Sequence, residues 1–299
     1  MAEFRVVAEG LRFPEGPVAL EDGSVLVVEI RGGALTRVRP DGTTEVVADC
    51  GGGPNGAAIG PDGAVYVCNN GGFRWVRSGE RTVPGTQPDD YIGGRIQRVT
   101  LDGAVTDLYT TVDGHGLVGP NDLVFDEHGG FYFTDLGKIR GREMRLGGLY
   151  YAAPDGSRID ELVFPLMQPN GVGLSPDGDR LHVAETGPGR VWSWPVREPG
   201  RLGEAELLHG FGGDQRLDSL AVDSAGNVCV ATLNTGAISV LSPGGELLDV
   251  VRPPRHDPYV TNICFGGPDL RTAYITASTD GVLYATEWPR PGLATHFTA

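Results

Sequence analysis

Six polar residues of this chain stand at one spacing. Seven positions before Asp22, Asp62, His128, Asp177, Ala225 and Asp269, each in a turn, lie Glu15, Asn55, Asn121, Asn170, Asp218 and Asn262. Any one of them alone reads as a turn cap, because Asn and Asp side chains bond their own backbone nearby. Six at one spacing point instead to a shared polar site on a rigid scaffold. Two carboxylates, Glu15 and Asp218, with amide oxygens from Asn121 and Asn170, make an oxygen-only donor set. That set suits one hard divalent cation. Ca2+ is the first expectation, Mg2+, Mn2+ or Zn2+ are further candidates, and structural zinc would ask for thiolate or imidazole. Such an ion would polarise a substrate carbonyl and stabilise the oxyanion formed when water attacks, with Asp218 either accepting the water's proton or only orienting it. No histidine falls at a ring position, although His115 in HGLVGPND lies a few residues before Asn121 and within reach of the same mouth. Covalent catalysis has little support, since Ser219 lacks His and acid partners at a recognisable spacing and no G-x-S-x-G elbow is present.

The elements that position these residues are read from a repeat. A polar turn followed by a short β-branched or aromatic strand recurs as EDGSVLVVE, PDGAVYVCN, DEHGGFYFTD, PDGDRLHVAET, DSAGNVCVAT and GPDLRTAYITAS. A weaker series of Asp-Gly and Gly-Gly turns runs between the copies, and such dipeptides between alternating apolar residues mark hairpins. Two hairpins per unit make a four-stranded antiparallel blade, and six units of about fifty residues predict an all-β, six-bladed β-propeller over 1–299 as a single domain. The six polar residues then share one mouth of the axial channel, where the metal site is expected. Phe4-Arg5-Val6-Val7 is the strand expected to close the ring.

Composition agrees. With 47 Gly and 22 Pro in 299 residues, the chain is too heavily punctuated for a helical bundle, while 40% hydrophobic residues exclude disorder. A net charge of −15 opposes phosphate backbones and anionic lipid, so neither nucleic acid nor membrane is an expected partner. No apolar run reaches membrane-helix length and Met1–Gly10 lacks a leader pattern, so a soluble, cytoplasmic monomer is expected. Cys50, Cys68, Cys229 and Cys264 show no C-x-x-C spacing and read as reduced thiols. Lys138 is the only lysine.

The segments FPEGP with Glu15, GPNDLVFDEHGGFYFTD with Asn121, PNGVGLSPDG with Asn170, LDSLAVDSAGNVCVAT with Asp218, and TNICFGGPDLRTAYIT resemble the senescence marker protein/gluconolactonase/regucalcin group of six-bladed, calcium-dependent propellers. The resemblance implies that Glu15, Asn170 and Asp218 bind one divalent metal, that Asn121 contacts metal-bound water or substrate, and that Asp218 doubles as catalytic base. Gly119-Pro120 stand where regucalcin-like members carry an arginine that helps hold a sugar acid. The FYFTDLG run and Ser219 look more like the drug-responsive bacterial lactonases.

A metal-dependent lactonase acting on a sugar lactone or related γ- or δ-lactone is therefore the leading expectation. Its rivals are a phosphotriesterase-like hydrolase on the same site and a non-enzymatic calcium-binding propeller. Asn55, Asn121, Asp122, Ser219, Asn262, Phe73, Trp75 and His115 are the expected substrate contacts. Phe73 and Trp75 belong to an insertion, Gly71 to Gly94, longer than a hairpin needs and read as a lid over the mouth.

Overall fold

A computed structural model describes residues 3–298; Met1, Ala2 and Ala299 lie outside the described residues. Six antiparallel sheets follow one another along the chain. Their innermost strands are Pro14–Ala19, Pro54–Ile59, Pro120–Phe125, Pro169–Leu174, Arg216–Val222 and Val260–Gly266. These define blades 1 to 6, and each strand packs beside the innermost strands of the two neighbouring blades, closing a six-bladed propeller. Phe4–Ala8 pairs antiparallel with Val282–Glu287, so the N-terminal strand completes blade 6 as expected. No helix among the described residues is long and apolar enough to cross a membrane.

The near-continuous apolar runs follow from burial on both faces. In VYVC, Val65 and Val67 pack toward blade 1 while Tyr66 and Cys68 pack toward blade 3. In FYF, Phe131 and Phe133 join blade 2, and Tyr132 joins blade 4. The core is therefore a set of clusters between successive blades. All four cysteines are free, and Cys50, Cys68 and Cys229 are buried.

Two features aim residues at the axis. Every innermost strand slips register against its neighbour at or beside the ring residue, for example between Glu15 and Val18 and between Pro169 and Val172. Such bulges bend a strand and re-aim its side chains. Gly56 and Gly171 then allow the strands to touch: a Cβ on Gly56 would lie 2.5 Å from the Asn121 carbonyl oxygen, and one on Gly171 would lie 2.5 Å from the Leu220 nitrogen. Beyond the ring the channel is apolar, a cavity of about 170 Å³ walled by Val18, Ala57, Val172, Leu220 and Ile263. Its far end is covered by the C-terminal segment, whose Phe297 meets Phe125 edge to face at 5.7 Å.

Candidate active site

At the polar mouth three carboxylates come under one another's influence. Glu15 is 2% exposed, and its Oε2 accepts from Asn262 Nδ2 at 2.7 Å and from the Gly16 N–H at 2.5 Å. Burial nonetheless pushes its pKa up to about 7. Asp122 rises to about 8, first through burial and then through the charge of Glu15, although the Leu123 N–H donates to it at 2.9 Å. Asp218, partly open to the mouth, is held well above the carboxylate range by burial and then by Glu15, with the Asn170 amide pulling it back. Asn170 is oriented by its own Nδ2, which donates to Thr186 Oγ1 at 3.0 Å and leaves Oδ1 as the acceptor facing Ser219 Oγ at 3.4 Å.

Among the described residues no basic side chain is a principal cause of the shift of any of the three acids. Among the described residues no three His, Cys, Asp or Glu side chains form a ready metal cluster. The donor set is instead carboxylates filled out by amide oxygens. Buried acids that repel one another, with no counter-charge and with amide oxygens alongside, fit a hard divalent cation held by Glu15, Asn170 and Asp218.

Aromatic side chains wall the mouth. The insertion forms the hairpin Trp75–Ser78/Arg81–Pro84. Trp75 stands 5.0 Å from Phe13, which stands 5.8 Å from Tyr259, so the wall runs from blade 2 across blade 1 to blade 6. Phe13, immediately before Pro14-Glu15, holds φ at 61°, a conformation whose strain of roughly 1–3 kcal/mol is found at functional sites. The hairpin tip is tied down by Arg81, which donates to the His256 carbonyl at 2.7 Å and lies 3.6 Å from Asp280. Phe73 lies behind Trp75, with the Lys138 ammonium 3.8 Å from its ring centre.

The structure thus brings Glu15, Asp122, Asn170, Asp218 and Ser219 together. Asn55 and Asn121 occupy the equivalent positions in blades 2 and 3, both buried. Two expected substrate contacts are placed otherwise. Asn262 is engaged with Glu15 and with the Ile263 N–H, 2.7 Å from its Oδ1, so it holds an acid in place. His115 is exposed on a small hairpin, Thr111–Val112/His115–Gly116, packed toward the outermost strand of blade 3. Phe13, Tyr259, Asn70 and Lys138 were not anticipated at the mouth. The one signal for them was the solitary lysine.

A six-bladed propeller carrying buried acids and amides at one axial mouth, under an aromatic cover, defines the class as a propeller with a polar axial site. Residues 13–279 match the model of the SMP-30/Gluconolactonase/LRE-like region, and the chain belongs to that family. It is 28% identical to a gluconolactonase of Zymomonas mobilis, across 94% of this chain and 81% of that one. It is 32% identical to lactonase drp35 of Staphylococcus saprophyticus, across 83% and 72% of the two chains. The solved gluconolactonase of Xanthomonas campestris has the same fold, with a TM-score of 0.76 at 24% identity over 96% of this chain and 90% of that one.

Proposed function

We propose that this chain is a single-domain lactone hydrolase working at the ring mouth with one bound divalent ion, Ca2+ in the first instance. The observation that carries the reading is the set of mutually repelling carboxylates Glu15, Asp122 and Asp218, the first two buried and the third half-buried, with no basic partner among the described residues, on the side of the channel covered by the aromatic hairpin. Membership in a family whose relatives are named for lactone hydrolysis supports the substrate class.

Glu15, Asn170 and Asp218 would hold the ion, which would supply positive charge to stabilise an oxyanion. The remaining work falls to the chain. Asp218, which the ion would keep ionised, is the base that takes the proton of the attacking water on a carboxylate oxygen. Asn121 offers an amide to the carbonyl or the water, and Ser219 and Asn55 border the same space. Asn262 keeps Glu15 in place, while Phe13, Trp75 and Tyr259 exclude bulk water and pack on the substrate ring.

The test is to strip the protein with chelator, reload it with Ca2+, Mg2+, Mn2+ or Zn2+ in turn, and follow acid release from aldonolactones and simple γ- and δ-lactones. Turnover that needs the ion and vanishes in Asp218→Asn is expected. Turnover indifferent to chelator, or none with any ion that binds, would overturn the reading.

A further inference from the structure

Lys138 and Asn70 meet where blades 2 and 3 approach the mouth, and together they leave hydrogen-bond donors without an acceptor. Asn70 and Lys138 are 0% and 4% exposed. Asn70 Oδ1 receives both the Gly72 N–H at 2.8 Å and Lys138 Nζ at 3.1 Å. Two donors on that oxygen fix the orientation of the amide, since a flip would turn its NH2 against both. Asn70 Nδ2 is then buried with no partner among the described residues. The adjacent Asn69 shows the contrast, because its Nδ2 is engaged by the Cys50 and Gly51 carbonyls and by Gln97 Oε1.

The ammonium is similarly under-used. Asn70 Oδ1 is its hydrogen-bond acceptor among the described residues, and the Phe73 ring covers another side. The acid whose charge acts on it, Asp135, is committed to the N–H groups of Val118, Gly119 and Gly137 at 2.7 to 2.8 Å. Burial lowers Lys138 to about 7, with Asp135 pulling it back. An arriving negative group would hold the lysine charged.

The pair adjoins the ring. The Asn70 N–H donates to the carbonyl of Gly53, two residues before Asn55, at 2.8 Å, and Asp135 is the ladder partner of Pro120, next to Asn121. A cavity of about 60 Å³ runs from Phe73 and Gly85 of the lid past Lys138 and Met144 to Gln168, two residues before Asn170. That leaves room for more than one water. Unmet donors with no acceptor among them call for a ligand group that only accepts, and an ammonium among them calls for a negative one.

We infer that Lys138 and Asn70 form a subsite for an anionic substituent of the substrate, a carboxylate in the first instance, borne at the end of the molecule away from the lactone carbonyl. The inference rests on the lactone-hydrolase reading for the remainder of that substrate. It makes the preferred substrate a lactone of a dicarboxylic acid.

Two measurements test it. The first compares kcat/KM for D-glucaro-1,4-lactone, which carries a free carboxylate, with that for neutral D-galactono-1,4-lactone, in the wild type and in Lys138→Met and Lys138→Gln, whose folding is checked by Tm. The wild type should favour the carboxylated lactone, and both variants should cut that ratio at least tenfold. The second is calorimetric binding of glucarate and galactonate, the open-chain products, with and without the same substitutions. An unchanged ratio, or glucarate bound no better than galactonate, overturns the subsite while leaving the lactonase reading intact. Selective, Lys138-dependent binding of glucarate without turnover of any lactone upholds the subsite and removes the lactonase reading.

Discussion

Asn262 of blade 6, the blade that the N-terminal strand completes, donates its Nδ2 hydrogen to Glu15 of blade 1 at 2.7 Å, across 247 residues of sequence. The pair joins ring closure to the geometry of the site. Ser278 reinforces the same junction, donating at 2.6 Å to the carbonyl of Pro14, immediately before Glu15.

Asn262→Ala should therefore weaken ion binding without removing an ion ligand. Partners that orient a ligand are typically worth 10- to 100-fold in affinity. Calcium titration by calorimetry should show a loss in that range, and Asn262→Asp, which sets a like charge against Glu15, should lose more. Equal affinity in Asn262→Ala and wild type would mean that Glu15 is held by the backbone alone.

Asp218→Asn should cost roughly 10²- to 10⁴-fold in kcat, the usual range for a positioned acid or base. Steady-state kinetics by pH-stat at saturating ion separates this from ion loss. If the rate returns as ion concentration is raised, Asp218 serves as a ligand only.

The ring acids also set a pH dependence. In the ion-free protein Glu15 keeps its proton up to about 7 and Asp122 up to about 8, whereas an unfolded chain releases both near pH 4. Between these limits the folded state binds more protons than the unfolded state, so stability falls as pH rises from about 4 through 8. An ion that displaces those protons binds more tightly as pH rises through the same window. Thermal unfolding in chelator should give a lower Tm at pH 8 than at pH 5, with added Ca2+ raising Tm more at pH 8. A Tm gain from Ca2+ that is equal at both values would show that the acids are ionised before the ion arrives.

The ring was legible because turn chemistry locks the distance between the second-strand turn and the start of the innermost strand, so Glu15, Asn121, Asn170 and Asp218 could be counted to. The same periodicity exposed the blades and the closing strand. What was not legible depends on contacts between blades. Asn262 carries the same residue type as Asn121, and only the approach of blade 6 to blade 1 shows that its amide is spent on Glu15. His115 looked close in sequence, yet it is exposed on a hairpin that packs on the outermost strand of blade 3. Lys138 and Asn70 are 68 residues apart in different blades, and no periodic signal links them.

Gly56→Ala tests the close approach of neighbouring blades. The added methyl would sit 2.5 Å from the Asn121 carbonyl oxygen and 2.7 Å from Asp122 Oδ1, both on a buried strand with little freedom to retreat. Overpacking of this kind costs about 1–3 kcal/mol, which should lower Tm by several degrees. Because the displaced atoms belong to Asn121 and Asp122, kcat should fall further than an equally destabilising change elsewhere. Val240→Ala, on the buried third strand of blade 5, is the comparison. A Gly56→Ala protein with reduced Tm but unaltered kcat would mean that blade 3 shifts as a unit and carries the ring residues with it.

The lid should act through closure. Arg81→Ala removes the hydrogen bond to the His256 carbonyl and the contact with Asp280, freeing the hairpin tip from blade 6. The ion pair itself contributes little, since Arg81 is only partly screened from solvent. The loss is one of position: Trp75 rides on the same hairpin and reaches Phe13 only while the tip is held down. KM should rise several-fold while ion affinity stays at the wild-type value, because no ring residue lies on the hairpin. Proteolysis at the Arg77 to Arg81 turn should accelerate in parallel, and bound substrate should slow it in the wild type more than in the variant. Unchanged KM with faster cleavage would show that the hairpin covers the mouth without contacting the substrate, and would shift the work of the aromatic wall to Phe13 and Tyr259.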